Sequence, residues 1–129
     1  MRFYRVRFFM FILYMENSSK LIQIKKYNNI WLVIVTNDNK NIARIIKMST
    51  RKGKKYDVFE VINKDGKPTL KYILSFGSAK NFHYKDILGG YDELDHNDEQ
   101  RRINFYKRFK NANNAKIDSP LFWSANLLW

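Results

Sequence analysis

The chain's two histidines, His83 and His96, each stand just before a carboxylate, in "HYKD" (83–86) and "HND" (96–98). An imidazole beside a carboxylate can share a proton or help to hold a metal ion. A zinc site, however, takes three or four ligands at close and defined spacing, and two separated pairs fit that poorly. Asp86, Asp92, Glu93, Asp95, Asp98 and Glu99 form an acidic stretch from which a carboxylate pair for acid–base work could be drawn. Such a pair needs an enclosing pocket, which the local pattern does not supply. There is no cysteine, so a thiolate nucleophile, thiolate metal ligands and disulfides are all excluded. Gly89-Gly90 carries no phosphate-loop pattern, and no serine sits in a nucleophile elbow. The expectation is a protein that is not an enzyme, with no metal and no cofactor. Its catalytic rival would centre on His83, His96 and the neighbouring carboxylates. A more economical use for the last of these acids is to start a helix.

The charge balance is more informative. Lys and Arg number 24 against 12 Asp and Glu, a formal net charge of +12. That excess attracts polyanions: nucleic acid, an anionic membrane face or an acidic protein surface. The alternative is compositional: the sequence is rich in Lys, Asn, Ile, Tyr and Phe, the residues an AT-rich genome encodes most readily. Two places concentrate the charge. "RKGKK" puts Arg51, Lys52, Lys54 and Lys55 into one turn, and Arg101, Arg102 and Arg108 crowd the helical stretch after the acids. Both are candidate contacts to phosphates or to an acidic partner. The alternative is a solvated loop tip and a solvated helix back. No aromatic lies within the tip, so the interleaving that stacks unpaired bases is weak there.

The elements that must position these groups read as a β-meander followed by helices. Five β-branched and aromatic runs cover 21–26, 30–36, 42–48, 56–62 and 69–76, separated by turn residues. Asp65-Gly66 is the strongest hairpin signal, because a tight turn needs positive φ. "IWLVIV" is apolar on both faces, which predicts a central strand buried on two sides. Leu70, Tyr72, Leu74 and Phe76 alternate, which predicts one apolar face. A long basic helix is expected from Asp95 to Asn113-Asn114, with Asp95 or Asn97 as its cap and Phe105, Tyr106 and Phe109 on one face. The fold class is α+β: an antiparallel meander of four to five strands, a long basic helix and a short C-terminal aromatic helix.

With 129 residues the chain has the length of one domain, assigned to 15–129. Residues 1–14 stand apart, with three arginines and the apolar run Phe8 to Tyr14. The run is far short of the roughly 20 residues that span a bilayer, so a membrane partner is not expected. Met15 opens an ordinary protein start, and the favoured reading is an extension outside the native protein. A first strand and a surface anchor are the alternatives.

"SFGSAK" (75–80), "HNDEQRRINFYKRF" (96–109) and "FWSANLLW" (122–129) together resemble a family of small uncharacterised proteins of nucleocytoplasmic large DNA viruses. Its pattern is Phe-Gly-Ser/Ala, then His-x-Asp-x-x-Arg, then Phe-Trp-Ser-x-x-Leu-Leu-Trp. Phe76, Gly77, His96, Asp98, Phe122, Trp123 and Trp129 match it, across residues 75–129. Phe105 stands where the pattern usually has Tyr, and the stretch around "DILGGYDEL" is longer. Relatives commonly continue past the final Trp, which implies a missing C-terminal segment. The resemblance implies a context and no activity: a viral protein in the host cytoplasm, in the viral factory or the virion.

The closing block "LFWSANLLW" is expected to start at a Ser119 cap with Pro120 in the first turn. It is then expected to fold back as a core plug, with an exposed partner-binding anchor as the alternative. The functional expectation is a small, non-catalytic structural or interaction protein whose basic surface meets acidic or other viral proteins. The alternative is a nucleic-acid-binding accessory protein.

Overall fold

Alternating apolar residues and short turns build a single five-stranded antiparallel sheet in the computed structural model, which describes residues 20–129. The extension assigned to residues 1–14 lies outside the described residues. The strands are β1 (Lys20–Tyr27), β2 (Ile30–Asn37), β3 (Lys40–Met48), β4 (Lys54–Lys64) and β5 (Lys67–Ser78). They pair in sequence order. Asp38-Asn39 and Asp65-Gly66 each hold positive φ at both turn positions, the geometry that closes a two-residue hairpin without splaying its strands.

One face of the sheet is covered. Trp31, Val33 and Val35 of β2 alternate into the core with Ile46 of β3, Tyr56 and Val58 of β4 and Phe76 of β5. β2 is therefore not buried on two sides, and it is not central. It lies next to the edge strand, and Leu32 and Ile34 on its other face stay only half-buried. Both faces of "IWLVIV" are apolar, but only one has a layer to pack against.

β5 carries a second correction. Val58 pairs with Leu74, whereas Phe59 pairs with Tyr72, so Ile73 is an extra residue in β5. A bulge of this kind reverses the alternation of the strand beyond it. Phe76 and Leu74 face the core. Tyr72 and Leu70 go to the opposite face beside Phe59 and Val61.

Two helices follow the sheet; the second packs on its core face and the first packs against the outer side of the second. α1 (Glu99–Arg108) has ten residues. The long helix expected over 95–114 does not form, for reasons at both ends. The amides of Asp95, His96 and Asn97 are already committed to the oxygens of Asp92, His83 and Tyr84. Asp98 is consequently the cap, accepting from the amides of Gln100 and Arg101, in place of Asp95 or Asn97. At the other end Phe109 leaves the helical region (φ −110°, ψ 76°) and a short 3-10 turn follows at Ala112–Asn114. Replacing Asp98 by Ala should cost about 1 kcal/mol, the usual loss of an N-cap. A thermal melt followed by helical circular dichroism checks this.

α2 (Pro120–Leu127) is capped by Ser119, whose hydroxyl accepts from the Phe122 amide at 3.2 Å, with Pro120 in the first turn. Apart from Ser124 and Asn126 it is apolar, because it lies between two layers. Phe122, Trp123 and Leu127 join the sheet core, while Leu121 and Ala125 pack with Phe105 of α1. No helix among the described residues is long and apolar enough to cross a membrane.

Candidate functional site

The structure brings His83, Asp86 and Asp95 together and adds two residues that the sequence reading placed elsewhere or left out, Lys55 and Tyr56. The segment 79–98 is the cause. It wraps from β5 past the end of β4, and His83 and Asp95 meet as an isolated parallel bridge. The Lys85 and Ile87 amides donate to the Leu128 and Leu127 oxygens, both at 3.0 Å, which ties the segment to α2.

Asp86 is the hub. Its carboxylate accepts from the Leu88 amide at 2.9 Å, the Tyr91 amide at 2.8 Å and the Tyr56 hydroxyl. The Tyr56 oxygen in turn accepts from the Gly90 amide at 3.0 Å. A Cβ at Gly90 would come within 2.7 Å of that oxygen and of the Met48 sulfur, so only glycine allows the approach. Burial, then the Asp86 charge and hydrogen bond, push the Tyr56 phenol far above its ordinary range.

Lys55, a candidate phosphate contact on the sequence pattern, is interior and does not face a phosphate. It is 1% exposed, and its ammonium donates to the Asn81 oxygen at 2.8 Å. Burial lowers its pKa, opposed by the charges of Asp86 and Asp95. Gly77, a residue of the Phe-Gly-Ser pattern, permits this path. Its φ is +80°, and a Cβ there would meet Lys55 and Leu128 carbons at 3.1 Å.

His83 Nε2 lies 2.6 Å from Asp95 Oδ1, which also accepts from the Asp86 amide at 2.7 Å. The carboxylate oxygen accepts, so Nε2 carries the proton of the neutral ring. Nδ1 is buried and has no partner among the described residues. Burial, then the Lys55 charge, lower the pKa of His83 against the pull of Asp95. Protonation would put a donor at Nδ1 with nothing to receive it. His96 is also lowered, chiefly by burial and then by Arg101. Its Nδ1 accepts from the Asp98 amide at 2.9 Å, and its ring lies 5.3 Å from that of Trp129.

A pH dependence follows. For both histidines the folded pKa is below the ordinary 6.5, so the unfolded chain binds the proton first. Their contribution is intact above that value and is lost as pH falls through it. Urea melts at about pH 7.5 and 5.5 should show wild type losing stability, by at most about 1.4 kcal/mol per pH unit per group. His83→Gln, which keeps a donor for Asp95, should lose less over the same interval.

Chemically the cluster is sealed. Lys55 and His83 are 1% exposed and Asp86 4%, and every interaction described above is with another part of the chain. Among the described residues no three His, Cys, Asp or Glu side chains are grouped to hold a metal ion. The signal for the cluster in the sequence is slight: a lysine adjoining a core tyrosine, and His83 twelve positions before Asp95.

The remaining candidates separate. Arg51, Lys52, Lys54, Arg101 and Arg108 are exposed. Arg102 is half-buried, donating to the main-chain oxygen of Trp129 at 2.7 Å and to Glu99 at 3.4 Å, so it braces the end of the chain. The Arg51 guanidinium lies 3.9 Å over the Tyr72 ring, on the sheet face away from the helices. Arg51 and the α1 arginines therefore do not form one footprint. Arg44, absent from the candidates, makes a two-pronged contact with Asp118, 3.1 Å from Nε to Oδ1 and 2.7 Å from Nη2 to Oδ2, holding the connection between α1 and α2 to the sheet.

The residues that carry the family resemblance divide: Gly77 and His96 are half-buried and Asp98 is exposed. Phe76, Phe122 and Trp123 are buried, with Phe76 and Trp123 stacked at 6.4 Å. Trp129 is half-buried and stacks on Phe105 at 4.6 Å and 4°.

No protein-family model, no curated protein and no solved structure matches this chain.

Proposed function

We propose that this is a small non-catalytic interaction protein that engages a polyanionic partner through its exposed cations. The observation that carries the reading is the sealed cluster. The groups best suited to acid–base chemistry are spent on fastening segment 79–98 to the sheet and to α2, where a substrate has no access. The excess positive charge, by contrast, stays outside, at Arg51, Lys52, Lys54, Arg101 and Arg108. The resemblance of the closing motif to proteins of large DNA viruses suggests the setting: the viral factory or the virion, in the host cytoplasm.

Binding of a labelled duplex DNA, followed by fluorescence anisotropy across a salt titration, tests it. Affinity should fall steeply with salt, by about 0.9 log units per log unit of salt for each phosphate contacted. Replacing Arg51, Lys52 and Lys54 together by Ala should flatten the slope by up to about 2.7 units. Lys55 is left out because it is interior. A chain that binds neither duplex nor polyglutamate even at low salt is not a polyanion-binding protein.

A further inference from the structure

The sheet face opposite the helices is not covered by any described element, and its composition is unusual for a solvated surface. Pairing registers place Lys25, Leu32, Ile45, Phe59 and Tyr72 in one row across all five strands. At roughly 4.8 Å per strand the row is about 19 Å long. The next row holds Tyr27, Ile30, Lys47, Asp57 and Ser75. Large apolar groups stay open there: Tyr27 is 56% exposed, Val61 54%, Leu70 41% and Tyr72 37%. A contiguous apolar surface of this kind marks a binding face more often than chance scatter.

Cations are set among these rings. Arg51 lies 3.9 Å over Tyr72, and the Lys47 ammonium lies 5.5 Å from the Phe59 centroid. Phe59 and Tyr72 meet edge to face at 5.9 Å, Phe59 half-buried and Tyr72 exposed, so a base reaches these rings alongside the cations that lie over them. Asp57 is the acid on this face, and it is withdrawn. It is 4% exposed and accepts from the Ser49 and Ser75 hydroxyls at 2.6 and 2.5 Å.

We propose that this face binds single-stranded nucleic acid, with bases stacking on Phe59 and Tyr72 and phosphates meeting Lys25, Lys47 and Arg51. The inference rests on the polyanion reading above and narrows it. Unpaired bases offer π-faces to aromatic side chains, whereas a duplex hides them in its stack. An acidic protein would satisfy the cations and leave the rings without a counterpart. Arginine serves both needs, stacking on a ring while donating to phosphate.

The test uses the full chain and three labelled probes: a short oligothymidylate, a duplex of equal length and polyglutamate. At about 150 mM salt, where screening reaches about 8 Å, the oligothymidylate should bind at least about tenfold tighter than the duplex. Tyr72→Ala should weaken it about tenfold or more, and Tyr72→Phe should restore it. Tyr72→Leu keeps apolar bulk without a ring, should a smaller residue disturb the strand. The salt slope should be unchanged by Tyr72→Ala and reduced by about 0.7 by Arg51→Ala, because only the latter removes a phosphate contact. Equal affinity for all three probes, indifferent to Tyr72, overturns the stacking inference and leaves the polyanion reading standing. Preference for polyglutamate also overturns it, in favour of an acidic protein. Binding of no probe removes both. A dimer in sedimentation that Tyr72→Ala dissociates assigns the face to a second copy and overturns the inference.

Discussion

Trp123→Ala should lower stability by about 3–5 kcal/mol or abolish cooperative unfolding, the usual range for emptying a buried aromatic site. Trp123 is fully buried in α2. Its ring stacks on Phe76 of β5 and stands edge-on to Phe122 at 4.9 Å. Phe76 continues through Tyr56 to Trp31, at 5.5 and 5.6 Å, so the aromatic packing runs from α2 across three strands. Truncation leaves a cavity where helix and sheet meet, and neither side can collapse without losing hydrogen bonds of its own. A domain of ordinary stability, about 5–15 kcal/mol, would lose a large part of it. Trp123→Phe should cost less. It keeps a ring, and it removes the indole N–H, which is buried without a partner among the described residues. Urea unfolding followed by circular dichroism checks both variants. A Trp123→Ala protein as stable as wild type that had lost only a binding partner would make the block an anchor and not a plug.

The other large effect is expected at Asp86. Asp86→Ala should destabilise by about 3–5 kcal/mol, because each buried donor left without its acceptor costs about 1–3 kcal/mol. Three donors lose their acceptor together: the Leu88 and Tyr91 amides and the Tyr56 hydroxyl. Lys55 meanwhile keeps its buried position and loses the larger of the two opposing charges that support its ammonium. Asp86→Asn should cost less, since one oxygen still accepts. A double-mutant cycle with Lys55→Met separates the charge from the hydrogen bonds. Coupling above about 0.5 kcal/mol is expected, because the Asp86 charge supports the Lys55 ammonium with no hydrogen bond between them. Strict additivity of the two single effects would mean that Asp86 acts only as a backbone clamp.

The strands, their order of appearance and the cap of α2 are all legible in the sequence. Each depends on contacts within a few residues: period-two alternation, positive-φ turns, and a Ser-Pro start. Short connections between such runs leave little choice but an antiparallel meander. The α1 cap was misplaced by one to three residues because Asp95, Asn97 and Asp98 are each competent caps. What chose among them was the pairing of the His96 and Asn97 amides with His83 and Tyr84, thirteen positions earlier.

Local sequence determined where the chain is strand, where it turns and that its greasiest block ends in a capped helix. Only tertiary structure decided which charges face water and which rings do. Lys55 and Lys54 are neighbours of one type in one basic run, yet Lys55 is interior because its ammonium meets the Asn81 oxygen and the Tyr91 ring, up to thirty-six positions later. One extra residue at Ile73 turned Leu70 and Tyr72 to the face that Arg51 and Phe59 share. Alternation carries no record of a bulge, and charge carries no record of burial. Both are set by pairings between residues far apart in the chain, whose energies no local pattern contains.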